Sequence, residues 1–292
     1  MSKWVLGVIG GSGLYEIDGL ENTQEIRVET PWGDPSDTLI KGRLGQVELV
    51  FLPRHGKGHR LTPSTVPYRA NIDALKRLGC TDVLSVSACG SLQEQYAPGD
   101  FVMVDQFIDR TFAREKTFFG PGMVAHVSVA DPVCSRLSAL AGDAAERSGA
   151  TVHRGGTYLT MEGPQFSTRA ESHLYRQWGC DVIGMTNMPE AKLAREAELP
   201  YATLAMVTDY DCWREDEAAV EVTNVLEIMQ ANTARAKQAI KVLAETLVQT
   251  ERTPSPQGIE TCLDFAMITA PEARDPAMLE KLDAIAGRVL SS

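Results

Sequence analysis

The sequence lacks any apolar run that approaches the ~18 residues a membrane-spanning helix needs. Residues 1–11 contain one lysine and a short apolar stretch that ends in two glycines, without a signal-peptide cleavage pattern. We therefore expect a first buried strand at this end of the sequence, and a protein that has no membrane partner.

Closely spaced cysteines are absent as well. Six cysteines are scattered at positions 80, 89, 134, 180, 212 and 262, and no CxxC pair occurs among them. In a chain without a secretion signal such cysteines are expected to be reduced, so the sequence predicts a cytoplasmic protein. No convincing set of side chains stands at metal-ligand spacing, and we expect no metal.

An excess of positive charge is the third absence. The 292 residues include 28 Lys+Arg and 39 Asp+Glu, which give a formal net charge of −11. Nucleic-acid backbones are bound by clustered basic side chains, so this balance argues against a dedicated nucleic-acid-binding protein. A small anionic substrate that is held by a few local groups is still compatible with it.

The sequence does contain an alternation of short apolar runs and amphipathic patterns. Residues 4–9, 83–87 and 201–207 have the pattern of buried strands, and residues 132–148 and 217–249 repeat apolar side chains at helical spacing. Such alternation predicts an α/β fold, with a mostly parallel or mixed sheet that has helices on both faces.

The alternation stops after residue 249. Residues 253–258 have the proline-rich and serine-rich composition of a linker, and one short amphipathic helix is predicted near 276–290. We therefore predict one domain over residues 1–249 and a C-terminal tail over 250–292. The tail is too small for an independent domain, so we expect it to pack on the main domain or to lie partly loose.

Two glycine-containing motifs follow predicted strands, at the edge of the sheet where α/β proteins bind ligands. Residues 10–13, Gly-Gly-Ser-Gly, would let backbone N–H groups approach an anion, although a plain tight turn explains them equally well. Arg54 and His55 precede another glycine, and a guanidinium beside an imidazole suits a phosphate-like dianion. The alternative is a solvated loop arginine with a structural histidine.

Two more motifs follow predicted strands in the same way. Residues 87–91, Ser-Ala-Cys-Gly-Ser, are small enough for close contact with a ligand, and Cys89 is either a nucleophile or a small buried side chain. Asp209 and Asp211 would face one side if their strand continued, and two close carboxylates raise one pKa and supply a proton donor. A metal site and the capping of a turn are the alternatives.

Two apolar side chains complete the set. Phe166 follows the segment Glu-Gly-Pro-Gln at 162–165, and Met185 ends a short predicted strand at 181–185. An aromatic ring and a thioether can enclose a flat base or the face of a sugar, but such residues also pack in cores.

In this order the motifs resemble the trimeric nucleoside phosphorylases over residues 4–248, and most closely the members that act on 5′-methylthioadenosine. Other matching segments are residues 30–33, 70–72, 99–100, 105–111, 169–171 and 205–213. The resemblance does not extend to the tail. It implies a single domain with a central mixed, partly barrel-like β-sheet flanked by helices, assembled as a homotrimer.

The resemblance also implies an activity, the reversible phosphorolysis of 5′-methylthioadenosine to adenine and 5-methylthioribose 1-phosphate. Phosphate is a co-substrate, and neither a metal nor an organic cofactor is expected. One alternative is a purine nucleoside or 5′-methylthioinosine phosphorylase that acts on 6-oxopurines. A hydrolase of the same fold and a binding protein without turnover, a nucleoside or anion sensor, are two others.

Site residues are carried over from the resemblance position by position. The expected phosphate site consists of Ser12, Arg54, His55, Ser87, Ala88 and Thr186. The expected base and ribose site consists of Cys89, Gly90, Phe166, Ile183, Met185, Asp209 and Asp211. In it, Asp209 resembles the general acid at N7 of the purine, and Asp211 resembles its partner at the 6-amino group.

The 5′-methylthio pocket is expected to include Val222 and Val225, together with His126 from a neighbouring subunit. The chain departs from the family at Gly184, where an asparagine is expected. A side chain that lines the site is therefore missing, which makes the packing on the base side a question for the structure.

Overall fold

The computed structural model describes residues 3–11, 13–14, 16–214 and 222–290, with the backbone alone for residues 222–226. The described residues contain an 11-stranded mixed sheet. Its strands are β1 (Val5–Gly10), β2 (Glu21–Ile26), β3 (Leu39–Leu44), β4 (Val47–Pro53), β5 (Asp82–Ser91), β6 (Phe101–Val104), β7 (Gln106–Asp109), β8 (Val152–Arg154), β9 (Thr157–Thr160), β10 (Val182–Gly184) and β11 (Tyr201–Asp209).

Seven α-helices are described around this sheet. They are α1 (Tyr68–Arg77), α2 (Ser135–Arg147), α3 (Arg169–Gln177), α4 (Asn187–Glu196), α5 (Val222–Gln249), α6 (Pro276–Lys281) and α7 (Asp283–Leu290). Helix α1 begins at Tyr68, since Pro63 and Pro67 disfavour helical backbone in the residues before them. None of the described helices is long and apolar enough to cross a membrane.

The sheet branches at β5. Parallel pairing joins β5 to β1 along one edge and to β11 along the other, and β10 pairs antiparallel with the end of β5. The strand order on the main path is β2-β3-β4-β1-β5-β10-β9-β7, while β6 and β8 extend from β11. The predicted α/β class with a mixed sheet is therefore confirmed.

One edge of β5 is divided between two neighbours. Ser85 pairs with Ile9 of β1, and Gly90 pairs with Ile183 of β10, while β11 occupies the opposite edge. Residues 86–89 thus have no strand partner on this edge among the described residues. The backbone of Ser87 and Ala88 lies in the resulting split, which is the kind of place where open α/β sheets bind ligands.

The core lies on both faces of the sheet, as the alternation of side chains in each strand requires. Val8 packs with α2 and α5 on one face, whereas its neighbour Ile9 packs with α1, α4 and α7 on the other. The result is three layers, with helices on both sides of the sheet, as the alternation of the sequence predicts.

Residues 250–290 contribute to this core. Ile259, Leu263, Leu282 and Ile285 are buried in it, and Arg252 Nε lies 2.6 Å from Oδ2 of the buried Asp82. This segment has two helices, α6 and α7, where one is predicted. The domain boundary at residue 249 stays a prediction.

Candidate active site

The first two glycine motifs lie side by side. Strands β1 and β4 are parallel and pair Gly10 with Pro53, so that the turn after each strand emerges at the same end. The backbone N–H of Arg54 donates to the carbonyl of Gly10 over 2.9 Å. Ser12, expected in the phosphate site, lies outside the described residues.

Arg54 is buried and bound on most of its donors. Its Nε and Nη2 donate to the two oxygens of Glu190 over 2.7 and 3.0 Å. Nη2 also donates to Ser85 Oγ over 2.6 Å, and Nη1 donates to the carbonyl of Val86 over 3.1 Å. Burial by itself lowers the pKa of Arg54, but the Glu190 carboxylate outweighs it and the pKa is raised. The guanidinium is therefore charged, paired and fixed at the split in the sheet.

His55 is only partly buried, and its ring stacks on His59 with 4.2 Å between centroids. Burial and the nearby charge of Arg54 lower the pKa of His55 to about 4. Its Nδ1 lies 2.9 Å from the carbonyl of Leu61, which in the neutral ring makes Nδ1 the donor. Nε2 is then an acceptor until the ring takes up a proton.

Two buried hydroxyls face each other across the split. Ser87 Oγ and Thr186 Oγ1 are 3.3 Å apart, and Ser87 Oγ also lies 3.2 Å from the carbonyl of its neighbour Ala88. Thr186 comes directly after Met185, which follows strand β10. The structure thus brings together three of the residues expected around phosphate, and Arg54 reaches the same split through Val86.

The two carboxylates lie at the end of β11, beside β5. Strand β11 pairs Asp209 with Gly90 after a bulge, and Thr208 Oγ1 lies 3.1 Å from the carbonyl of Cys89. Asp209 Oδ2 accepts from Thr208 Oγ1 over 2.7 Å, and Oδ1 accepts from the backbone N–H of Asp211 over 2.8 Å. Asp209 is thus held by hydrogen bonds at both oxygens.

Asp211 does not continue the strand, contrary to the geometry considered from its spacing. Its φ of +54° is left-handed, so the chain turns after Asp209 and the alternation of side chains ends there. Asp211 Oδ2 is buried and has no hydrogen-bond partner within the described residues. Burial raises the pKa of Asp211, and the charge of Asp209 raises it further. These effects outweigh the hydrogen bonds from Ser172, Ser167 and the Cys212 backbone, which lower the pKa.

Cys89 is buried in the same strand. Burial raises the pKa of its thiol well above the usual value, and the charge of Asp209 acts in the same direction. Since the thiolate is the nucleophile, these surroundings favour the small buried side chain over the nucleophile.

Gly90 leaves room for the groups around it. A Cβ at this position would lie 2.9 Å from Asp209 Oδ1, 3.2 Å from Ile183 Cγ2 and 3.4 Å from Asp211 Cβ. The expected base-side residues Gly90, Ile183, Asp209 and Asp211 are therefore in direct contact.

Met185 lies against Gly163, where a Cβ would be 2.5 Å from its sulfur. Phe166, three residues further on, is 50% exposed. The segment that carries Phe166 also approaches the turn at Asp211, since Cys212 Sγ donates to the carbonyl of Ser167 over 3.3 Å.

Sequence reasoning did not identify Glu190 or Arg114, which hold the site residues in place. Arg114 Nη1 donates to the carbonyls of Met185 and Met188 over 2.6 and 2.7 Å, and its Nη2 donates to the carbonyl of Glu162 over 2.6 Å. Glu190 lies in helix α4, and an acidic residue in a helix ordinarily faces solvent. The signal for it was the need of a buried Arg54 for a counter-charge.

The residues expected around a 5′-methylthio group are not placed together by the described part of the chain. His126 is exposed, and its backbone N–H donates to the carbonyl of Ala266 over 2.9 Å. Val222 and Val225 begin α5, but their side chains lie outside the described residues.

The chain belongs to the phosphorylase superfamily, whose sequence pattern it matches over residues 5–248. Its fold and the grouping of residues at the split in the sheet agree with that membership.

Its relatives share most of its length. An S-methyl-5′-thioadenosine phosphorylase of Cereibacter sphaeroides is 63% identical over 288 residues, which cover 99% of either chain. A crystal structure of a methylthioadenosine phosphorylase from an Antarctic soil metagenomic library has a TM-score of 0.91 at 49% identity, and covers 98% of this chain and 99% of that one. The match to these two relatives therefore includes the tail, whereas the superfamily pattern ends at residue 248, where the sequence resemblance was expected to end.

A further solved structure, methylthioadenosine phosphorylase from Schistosoma mansoni in complex with adenine, has a TM-score of 0.83 at 39% identity. It covers 91% of this chain and 99% of its own.

Proposed function

We propose that this protein catalyses the reversible phosphorolysis of 5′-methylthioadenosine, with phosphate as the nucleophile and with neither a metal nor an organic cofactor. One observation supports this most. The hydroxyls of Ser87 and Thr186 lie 3.3 Å apart at the split in the sheet. Three residues further along β5, Gly90 pairs with Asp209 of β11, which brings the Asp209–Asp211 pair close to these hydroxyls. A phosphate group and a leaving purine need groups of these two kinds on opposite sides of one ribose.

The phosphate side and the purine side of the site must supply different groups to the reaction. Cleavage of a glycosidic bond passes through a state with positive charge on the ribose, and phosphate below the sugar stabilises it. The purine leaves with negative charge, which a proton at N7 neutralises, and general acid catalysis contributes a factor of ~10² to 10⁴. We assign this proton to Asp209, which shares it with Asp211 when substrate is bound, because two facing anions would repel each other.

The second candidate is a phosphorylase for 6-oxopurines. A carboxylate at Asp211 accepts a hydrogen bond and so suits the donating 6-amino group of adenine better than an oxo group. The raised pKa of Asp211 is the observation that favours the second candidate, since a protonated Asp211 would instead donate to an oxo group. Rates with methylthioadenosine and methylthioinosine, compared at equal concentration, separate the two.

The experiment that tests the proposal is the release of adenine from methylthioadenosine with and without phosphate. We expect release to require phosphate, or arsenate in its place, and to be unaffected by a metal chelator. Release that is equally fast without phosphate would indicate a hydrolase. Binding of methylthioadenosine without any release would indicate the sensor.

We further propose a homotrimer in the cytoplasm. His126 is exposed and flanked by large exposed side chains on its own segment and on the segment that pairs with it, namely Val124, Phe265 and Ile268. A second copy of the chain would cover this patch and bring His126 to a neighbouring site. Light scattering should give a mass near three times 31.8 kDa. A fully active monomer would contradict the assembly.

The six free cysteines fit a reducing compartment, which supports the proposed cytoplasmic location.

A further inference from the structure

The space beside Gly184 is filled by the side chain of Tyr158. A Cβ on Gly184 would lie 1.8 Å from the hydroxyl oxygen of Tyr158 and 2.7 Å from its Cζ. Only glycine fits here while tyrosine stands at 158. The side chain that the resemblance leads one to expect at 184 is therefore replaced by a phenol hydroxyl that enters from the neighbouring strand β9.

Tyr158 is rigidly held behind the site. It is fully buried, and its ring packs among the side chains of a small apolar cluster with Phe107 at a centroid distance of 6.0 Å. Burial raises the pKa of Tyr158, so its hydroxyl keeps its proton. A buried phenol needs a hydrogen-bond partner, and Tyr158 finds it in Ser87 Oγ at 3.1 Å.

The direction of that hydrogen bond follows from counting protons. A serine hydroxyl has one proton to donate and two positions at which it accepts. Ser87 Oγ lies within reach of three oxygens, those of Tyr158, Thr186 and the Ala88 carbonyl. The Ala88 carbonyl only accepts and takes the Ser87 proton over 3.2 Å, so Tyr158 donates to Ser87 and fills one of its accepting positions. An anion in the split, which also only accepts, would compete with that carbonyl for the Ser87 proton.

We propose that Tyr158 is a positioning residue for phosphate, acting through Ser87, in the space that Gly184 leaves open. The inference rests on the proposed function, because it assumes that phosphate binds between Ser87 and Thr186. Tyr158 does not itself touch the anion. Its hydroxyl orients the proton of Ser87 and, by donating to the same oxygen, makes Ser87 a stronger donor.

The test is a double-mutant cycle on the whole enzyme, with steady-state kinetics in which phosphate and methylthioadenosine are varied separately. Tyr158→Phe should raise the KM for phosphate about three- to tenfold, the factor that corresponds to one net hydrogen bond. The KM for methylthioadenosine should change by less than about twofold. In a Ser87→Ala background the same change at Tyr158 should add nothing, because the residue through which it acts is gone.

A matched control is Tyr96→Phe, which removes a hydroxyl from a tyrosine that packs against the same apolar cluster. It should leave both KM values unchanged. If Tyr158→Phe alone does not fold, Ser87→Ala is compared with the double variant, in which no hydroxyl of the pair is left unpartnered. A higher KM for phosphate in the double variant than in Ser87→Ala would contradict the proposal.

Three results would overturn it. They are an unchanged KM for phosphate in Tyr158→Phe, an equal rise in both KM values, and an undiminished effect of Tyr158→Phe in the Ser87→Ala background. The last two would make Tyr158 a purely structural residue. Failure of the proposed function looks different, because the wild-type protein would then release adenine without phosphate or not at all.

Discussion

The two ends of the candidate site are held in opposite ways. At the phosphate end, the charge of Arg54 is met by both oxygens of Glu190, and the pair is bound further by Ser85 and Val86. At the base end, Asp211 lies next to another acid, and its buried Oδ2 has no hydrogen-bond partner in the described part of the chain. One end pairs opposite charges, and the other places two acids side by side.

This difference indicates where a proton can move. A paired guanidinium offers fixed donors and little tendency to change its charge, so the phosphate end supplies geometry. Burial and the neighbouring charge of Asp209 raise the pKa of Asp211, so a proton is held more readily at the other end.

The largest effect is expected where the ion pair is broken. Glu190→Gln leaves the buried Arg54 without its counter-charge, and should lower the free energy of unfolding by about 3–5 kcal/mol. Chemical denaturation at neutral pH measures it. Glu48→Gln, which removes a carboxylate that pairs with two surface lysines, serves as the control and should cost about 1 kcal/mol or less. Equal losses in the two variants would contradict the role of Glu190.

A change at the base end should affect rate more than stability. Asp209→Asn keeps a donor for N7 but cannot transfer a proton, so it should lose about 2–4 kcal/mol of transition-state stabilisation in kcat/KM for methylthioadenosine. Its preference should move towards 6-oxopurines, and Asp211→Asn should slow the reaction less. An Asp209→Asn variant with wild-type rate and preference would assign the proton donor elsewhere.

The smallest effect concerns the dependence of stability on pH. His55 has a folded-state pKa of about 4, below the value of about 6.5 expected in the unfolded chain. The unfolded state therefore binds more protons between these pH values, and stability falls as the pH drops through this window. His55→Asn should remove about 1–3 kcal/mol of that loss. Unfolding curves at pH 7 and pH 4.5 that differ equally in wild type and variant would contradict this.

Asp211 should show the opposite sign. Its raised pKa means that the folded state keeps a proton longer than the unfolded state, so its contribution to stability is lost as the pH rises. Asp211→Asn should therefore be more favourable, relative to wild type, at pH 8 than at pH 4. The same unfolding measurements at these two pH values check it.

Much of the fold could be predicted because periodicity reports burial directly. The runs at 4–9 and 201–207 became β1 and β11, and the helical repeat near 132–148 became α2. Strand β5 was harder, because residues 88–91 look like a loop of small residues but continue the strand to Ser91. Strand β7 was missed, since its four residues are mostly half-buried and show no apolar alternation.

The candidate site residues that bear an obvious chemical group were predicted from the sequence, and the residues that support them were not. Asp209 and Asp211 were predicted from their spacing, but the left-handed turn at Asp211 depends on a bulge in β11 that no local pattern announces. Gly184 looked like a loss from the sequence. Tyr158 fills the space beside Gly184 because of the register between β9 and β10, and only the folded chain defines that register.

The proposed function requires that the split in the sheet, at one edge of β5, binds phosphate as a reactant. Phosphorus NMR on wild-type protein supplied with methylthioadenosine and phosphate tests it most directly. If phosphate is a reactant, one equivalent of a sugar 1-phosphate should form for each adenine released, with a matching loss of inorganic phosphate. Adenine that appears together with free methylthioribose, while inorganic phosphate stays constant, would contradict it.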